Sequence, residues 1–171
     1  SSTFSQDEKS QGILDKLSAK MKGMTSFYIE FSANVKNTTT GTNSTETGKG
    51  WVKGDKFTAS YGENTIISNG KKTWTIVKEE KSVYETDASD ADEETLNPKK
   101  LMTIWETGFK NKFDREEKLN GEMVYVINLF PKVPAKADYH TIVLFISKTK
   151  NELKKAVLKA KDGTVMTYSM T

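Results

Sequence analysis

Apolar and polar residues along the chain follow two periods, and the change between them falls near position 25. Before it, Ile13, Leu14, Leu17, Met21 and Met24 form one stripe at helical spacing, with Lys9, Asp15, Lys16, Lys20 and Lys22 elsewhere on the circumference. Ser5-Gln6-Asp7-Glu8 has the form of a capping box, so the pattern predicts a helix over 5–23 that stops at Gly23. After it, Phe27, Ile29, Phe31, Ala33 and Val35 alternate with Tyr28, Glu30, Ser32, Asn34 and Lys36, which predicts a strand with one apolar face. The Thr-, Asn- and Gly-rich stretch 37–47 reads as a loop or hairpin tip. It holds two glycosylation-type triplets, at Asn37 and Asn43.

From Gly50 to Trp74 the chain reads as an antiparallel meander. Two turn signals, Lys53-Gly54-Asp55 and Asn69-Gly70, separate short runs that present Trp51, Phe57, Tyr61 and Trp74. Asn-Gly predicts a type I′ hairpin turn, which needs positive φ at both central residues. Strands are expected over 48–53, 56–61, 64–69, 72–77 and 81–86. Later ones are expected over 112–119 and 122–130 around Asn120-Gly121, then over 140–147, 152–160 and 164–170, the last two joined at Asp162-Gly163. The runs 123–130 and 141–146 are almost continuously apolar, as in strands covered on both faces. Between these sets, Asn97 as N-cap and Pro98 at the first helical position open a short helix to about Thr107, ended by Gly108. Leu101, Met102, Ile104 and Trp105 make it mostly apolar, and so short a helix must lie on an apolar surface. The total is about eleven antiparallel strands and two helices in one domain over 1–171, with a sheet large enough that it must curl.

Composition narrows the functions. With no Cys, thiol catalysis, disulfides and cysteine-ligated zinc are excluded. The net charge of +3 rests on 25 Lys and a single Arg, Arg115, a solubility pattern rather than that of a nucleic-acid site, where Arg supplies forked contacts. No run reaches the ~18 apolar residues of a membrane-spanning helix. The chain opens on Ser1 rather than Met, which fits a processed or trimmed N-terminus.

Catalytic chemistry is not apparent. The one His, His140, starts an apolar strand, and no nucleophile elbow, P-loop or dinucleotide fingerprint occurs. Glu79-Glu80 and Glu116-Glu117 are neighbours that would point to opposite faces of a strand. The acids Asp87, Asp90, Asp92, Glu93 and Glu94 lack the spacing and central Gly of a calcium loop and read as a solvated acidic segment. What the chain has in excess is apolar surface: an amphipathic helix, an apolar short helix and an aromatic-rich curved sheet, a combination that fits a cavity for an apolar ligand.

Four segments in register, Ser26-Phe27-x-x-x-Phe31, Gly50-Trp51-Val52-Lys53, Ile66-x-Ser68-Asn69-Gly70-Lys71-x-x-Trp74 and Asn97-Pro98 before an apolar helix, resemble the LolA family of periplasmic lipoprotein carriers over about residues 7–110. The resemblance implies a mainly β (α+β) fold: an incomplete, strongly curved antiparallel barrel with helices as a lid over its concave side. It implies a non-enzymatic, monomeric carrier in the periplasm without cofactor. Such a carrier accepts acylated lipoproteins from an inner-membrane lipoprotein-releasing ABC transporter and delivers them to an outer-membrane receptor. Carried over residue by residue, Ile13, Leu14, Leu17, Leu101, Met102, Ile104 and Trp105 would form the lid, and Phe27, Ile29, Phe31, Phe57, Tyr61 and Ile66 the cavity wall. A carrier of this kind is expected to keep an unfilled interior, whereas a packed structural or interaction module would fill it. Family members of the best-known type carry an Arg directly after Trp-Val-Lys that latches the lid; here Gly54 stands in that place. That departure keeps open a third reading, a paralogue binding another lipid. The family also continues past the last Asp-Gly hairpin with a Phe-x-Phe strand, so ending at Thr171 leaves two readings, a trimmed piece or a short, exposed sheet edge.

Overall fold

The structure, a computed structural model, describes residues 2–87 and 102–171, with side chains of the first helix from residue 8 onward. Helix α1 (Ser2–Lys22) is followed by β1 (Ser26–Asn37), β2 (Thr42–Lys53), β3 (Lys56–Tyr61), β4 (Asn64–Ser68), β5 (Lys72–Val77) and β6 (Ser82–Asp87). After a 3-10 turn at Ile104–Glu106 come β7 (Phe109–Leu119), β8 (Glu122–Pro131), β9 (Tyr139–Ser147), β10 (Leu153–Ala160) and β11 (Val165–Met170). The eleven strands make one antiparallel sheet in the order β6-β5-β4-β3-β2-β1-β11-β10-β9-β8-β7, and its two edges, β6 and β7, do not pair with each other. The barrel is therefore open, and α1 lies against its concave side.

The hydrophobic period explains the packing. Ile29, Phe31 and Ala33 are buried on the inner face of β1, while Tyr28 and Glu30 between them are exposed. Leu14 and Leu17, three apart on α1, are both only 1% exposed and meet Ile29, Phe31, Ile127, Leu129, Ile142, Leu144 and Ile146 in one core cluster. The continuous apolar runs are covered on both faces. Ile127 and Leu129 face α1, whereas Val124 and Val126 form a second cluster with Phe145 on the other side of the sheet.

Several expectations are corrected. Residues 37–47 are not a loop: β1 runs to Asn37, β2 starts at Thr42, and only the tip between them turns. Thr42 to Thr47 are all exposed, so their polarity marks a strand pair in water rather than a missing strand. Asn37 is buried and holds that turn, accepting from the N–H groups of Thr39 (2.9 Å) and Thr40 (3.2 Å), which removes it as a glycosylation acceptor. The type I′ turn is found at Asn120 (φ 52) and Gly121 (φ 82), not at Asn69-Gly70. There only Gly70 has positive φ, and the Asn69 side chain accepts from the N–H groups of Lys71 and Lys72, both at 2.9 Å. Helix α1 is already in progress at Ser5, so its capping box does not mark the start. The exposed C-terminal edge is also absent. β11 is held between β1 and β10, and the N–H of Thr171 donates to the carbonyl of Glu30 at 2.9 Å. The expected Pro98 helix falls mostly outside the described residues, as does the acidic segment after Asp87. Of the residues expected to form that helix, 102–107 are described, and they make the 3-10 turn at Ile104–Glu106.

Candidate functional site

Strand register decides which side chains share the concave face. Phe27, Val52 and Phe57 form one row across β1, β2 and β3. Ile29, Gly50, Ala59 and Ile66 form the next, and Phe31, Gly48 and Tyr61 the third. The six residues expected as wall (Phe27, Ile29, Phe31, Phe57, Tyr61 and Ile66) thus all belong to one face, with Phe27 and Tyr61 half-buried and the others buried. Of the expected lid, Leu14, Leu17, Met102 and Trp105 are buried and Ile13 and Ile104 half-buried against the same cluster; Leu101 lies outside the described residues.

Sequence reasoning missed the second half of this surface. Phe113, Ile127, Leu144, Ala156 and Tyr168 continue the inner face across β7 to β11, where the four-segment resemblance does not reach. For Phe113 the alternation of β7 was available as a signal, whereas β8 and β9, apolar on both faces, offer none. Phe31 joins the halves: its ring lies 6.3 Å from that of Tyr61 and 6.1 Å from that of Tyr168. Gly48 permits this, because a Cβ there would sit 2.3 Å from the end of the Phe31 ring.

Burial raises the phenol of Tyr61, with a further push from Glu46. Burial, followed by the neighbouring Tyr61 and Tyr139, pushes Tyr168 up to about 12. Both rings therefore stay neutral at physiological pH and keep the concave face free of charge.

The lid is fastened by side chains. The Trp105 indole N–H donates to Ser18 Oγ at 2.8 Å, joining the 3-10 turn to α1. At the N-terminal part of α1, the Ser10 hydroxyl donates to Asn111 Oδ1 on β7, and Asn111 Nδ2 donates to Gln11 Oε1 at 2.7 Å. Near the C-terminal end, Lys20 Nζ donates to the Lys150 carbonyl at 2.7 Å and pairs with Glu152 at 3.4 Å. Among the described residues no backbone hydrogen bond joins α1 to a strand. Gly54 is the first central residue of the β2–β3 turn with φ +61, a conformation that disfavours Arg, so the fastening is built from other residues.

Among the described residues the core cluster beneath α1 is closely packed, where a carrier is expected to keep space. Beside the end of α1, Leu17, Met21, Met24, Phe27, Met102 and Met170 line a cleft of about 230 Å³, and Phe27, Val52 and Phe57 line part of an open groove of about 740 Å³ round the strand ends.

Among the described residues, the candidate acids and the histidine do not come together. His140 is exposed, with Nδ1 2.9 Å from Thr141 Oγ1. Glu116 pairs with Lys148 at 3.2 Å and Glu117 with Arg115 at 2.9 Å, so each carboxylate is held by its own cation. Among the described residues no three His, Asp or Glu side chains converge as a metal site, and no helix is long and apolar enough to cross a membrane.

Solved structures share the fold at low identity. LprF from Mycobacterium bovis superposes with a TM-score of 0.60 at 13% identity, covering 96% of this chain and 92% of that one. Lipoprotein LppX from Mycobacterium tuberculosis gives 0.56 at 9% identity, covering 94% and 92%. A Vibrio parahaemolyticus domain described as outer membrane lipoprotein-sorting gives 0.51 at 13% identity, covering 96% and 91%. No curated protein sequence matches. The open eleven-stranded barrel, the helix on its concave face and a family profile matched over residues 1–128 of 171 agree, and the chain belongs to the outer membrane lipoprotein carrier protein LolA family.

Proposed function

We propose that the protein is a periplasmic carrier that takes acyl chains of lipoproteins onto the concave face beneath α1. In this reading it receives them from an inner-membrane ABC transporter and releases them to an outer-membrane receptor. Cargo lifts the lid: the wall and lid residues named above exchange contact with each other for contact with acyl chains. The observation that carries the reading is an apolar helix face seated on an apolar concave sheet without a backbone hydrogen bond to it, among the described residues. Such a helix can leave without unpairing a strand. Burial of Leu14 and Leu17 contributes on the order of 3–6 kcal/mol together. One fully buried C16 chain contributes on the order of 12 kcal/mol at ~0.8 kcal/mol per methylene. A single chain therefore exceeds what Leu14 and Leu17 lose together and is comparable with the whole lid once Met102 and Trp105 are counted. Three fully buried chains would pass the practical ceiling near 20 kcal/mol, so delivery requires that they stay partly exposed. Met21, Met24 and Met102 provide adaptable contact for such loose packing.

The close packing of Leu14, Leu17, Ile29 and Phe31 favours a second reading, a packed module with no ligand. One experiment separates the two. The chain has no Cys, so Ser10→Cys with Asn111→Cys can be introduced alone, at a pair whose side chains already bond. Oxidised, this disulfide holds α1 on β7; the carrier reading expects a triacylated lipopeptide to bind the reduced form and not the oxidised one. A lipopeptide that fails to bind or stabilise the wild type at saturation, or that binds both forms equally, overturns it. Parallel trials with a glycolipid separate lipoprotein cargo from another lipid.

A further inference from the structure

On the convex side of the sheet, register places Tyr28, Trp51, Thr58, Ile67 and Trp74 opposite one another on five consecutive strands, β1 to β5. Trp51 is 55% exposed, Tyr28 43% and Ile67 37%, which is unusual for one continuous row on a sheet's outer face. The Tyr28 and Trp51 rings are 4.5 Å apart, so they form one aromatic surface. Tyr28, Trp51, Thr58 and Ile67 of this row line an open groove of about 740 Å³ that wraps round the strand ends and also takes in Phe27, Val52 and Phe57 of the inner face.

The loop-side margin of the row is basic. Lys53 and Lys56 face each other across the β2–β3 turn and are exposed, and Lys71 is exposed in the neighbouring β4–β5 turn. Of the acids nearby, Asp87 is paired with Lys72 at 2.6 Å, Glu30 accepts from the Tyr28 hydroxyl, Glu85 accepts from the Trp74 indole at 3.1 Å, and Asp55 lies in the β2–β3 turn between the two lysines.

We infer that this surface docks the protein reversibly on an anionic lipid bilayer. Trp and Tyr carry an apolar body and a polar edge, and so favour the zone between headgroups and acyl chains. Lysines along one margin match the negative potential of anionic headgroups and add attraction that salt screens. A second copy of the chain is a poorer occupant, since it would bring the same lysine margin against this one. The groove's continuity with Phe27 and Phe57 means that docking sets the mouth of the concave face against the lipid. The inference does not depend on what the concave face binds.

The test uses the full chain with extruded vesicles of phosphatidylcholine, with and without phosphatidylglycerol, assayed by sedimentation and by quenching of Trp emission with brominated lipids. The expected result is binding to the anionic vesicles that falls steeply as salt is raised, with weak binding to neutral ones. Trp51→Ser should weaken it at least tenfold. Lys53→Glu, Lys56→Glu and Lys71→Glu together should weaken it on the order of 100-fold, from about a factor of five per lysine. Melting curves confirm that each variant is folded, and lipopeptide uptake from detergent micelles should remain unchanged, which separates docking from cargo binding. The inference is overturned by no binding to anionic vesicles, by equal binding to neutral ones, or by variants that bind as the wild type does. A Trp51-dependent dimer that excludes vesicles also overturns it.

Discussion

Trp105 and Ser18 are 87 positions apart in the chain, and a single 2.8 Å hydrogen bond between their side chains ties the 3-10 turn to α1. Trp105 is 5% exposed and packs in the same cluster as Leu14 and Leu17, so one residue contributes both packing and polar fastening to the lid. Trp105→Phe keeps most of the ring and leaves Ser18 Oγ without its donor. The expected cost is about 1 kcal/mol, a melting temperature lower by roughly 2–4 °C for a chain of this size. Ser18→Ala should cost about the same, and the double variant little more. If the bond fastens the lid, amide exchange in α1 accelerates about fivefold while exchange in β8 and β9 changes less. Equal acceleration everywhere would show that it supports the whole fold instead.

A second relationship concerns Gly48 and Phe31, paired across β1 and β2. A Cβ at position 48 would stand 2.3 Å from Phe31 Cζ and 2.8 Å from both Cε atoms. The ring is held between Tyr61 and Tyr168 and has little room to retreat. Gly48→Ala is therefore expected to destabilise by about 1–3 kcal/mol, as overpacking does. Adding Phe31→Leu should recover part of that loss, a non-additivity that a double-mutant cycle in denaturant measures directly. Simple addition of the two losses would mean that the ring moves aside freely.

Much of the architecture was legible because it follows from period and turn chemistry. The alternation from Phe27 to Val35 assigns β1 its inner face, and the switch from helical to strand period locates the junction with α1. The Thr42–Thr47 arm was not legible, because an exposed strand pair has no buried face to impose alternation. At Asn69 the side chain accepts from backbone N–H groups and replaces the positive φ that Asn-Gly suggests. Half of the concave face was missed because β8 and β9 are apolar on both sides, so parity alone does not tell Ile127 from Val126. Whether the hollow is filled depends on the position of α1, and no local pattern encodes that.

The buried phenol of Tyr168 makes a pH prediction with a definite sign. Its folded-state value is about 12, against an ordinary value of 10.0, mainly because burial disfavours the phenolate. Below about pH 10 the ring is neutral in both states, and its full contribution to stability is present. As pH rises from there toward 12, the unfolded chain loses this proton while the folded one keeps it, so stability falls, at most by about 1.4 kcal/mol per pH unit. The measurement is the difference between wild type and Tyr168→Phe, in which the contributions of all other groups cancel. The Phe variant should lose less stability between pH 9.5 and 11.5 in denaturant titrations. Parallel curves would show that Tyr168 ionises as freely in the folded protein as in the unfolded one.

The lid assignment predicts a contrast between Ile104 and Leu144. Ile104 is half-buried on the 3-10 turn, at the margin of the main cluster, whereas Leu144 is 0% exposed on β9 beneath it. A carboxylate at position 104 can turn toward water at a cost of about 1–3 kcal/mol, because the turn belongs to the lid and not to the sheet. At position 144 it has no route to water, and the cost of an isolated buried charge exceeds what a domain of this size has in reserve. Ile104→Glu should therefore keep the strand signature in circular dichroism and a cooperative melt, yet take up acyl chains at least tenfold more weakly. Leu144→Glu should fail to fold. If Ile104→Glu unfolds as well, the turn belongs to the structural core. If it folds and takes up lipid as the wild type does, acyl chains do not meet this part of the lid.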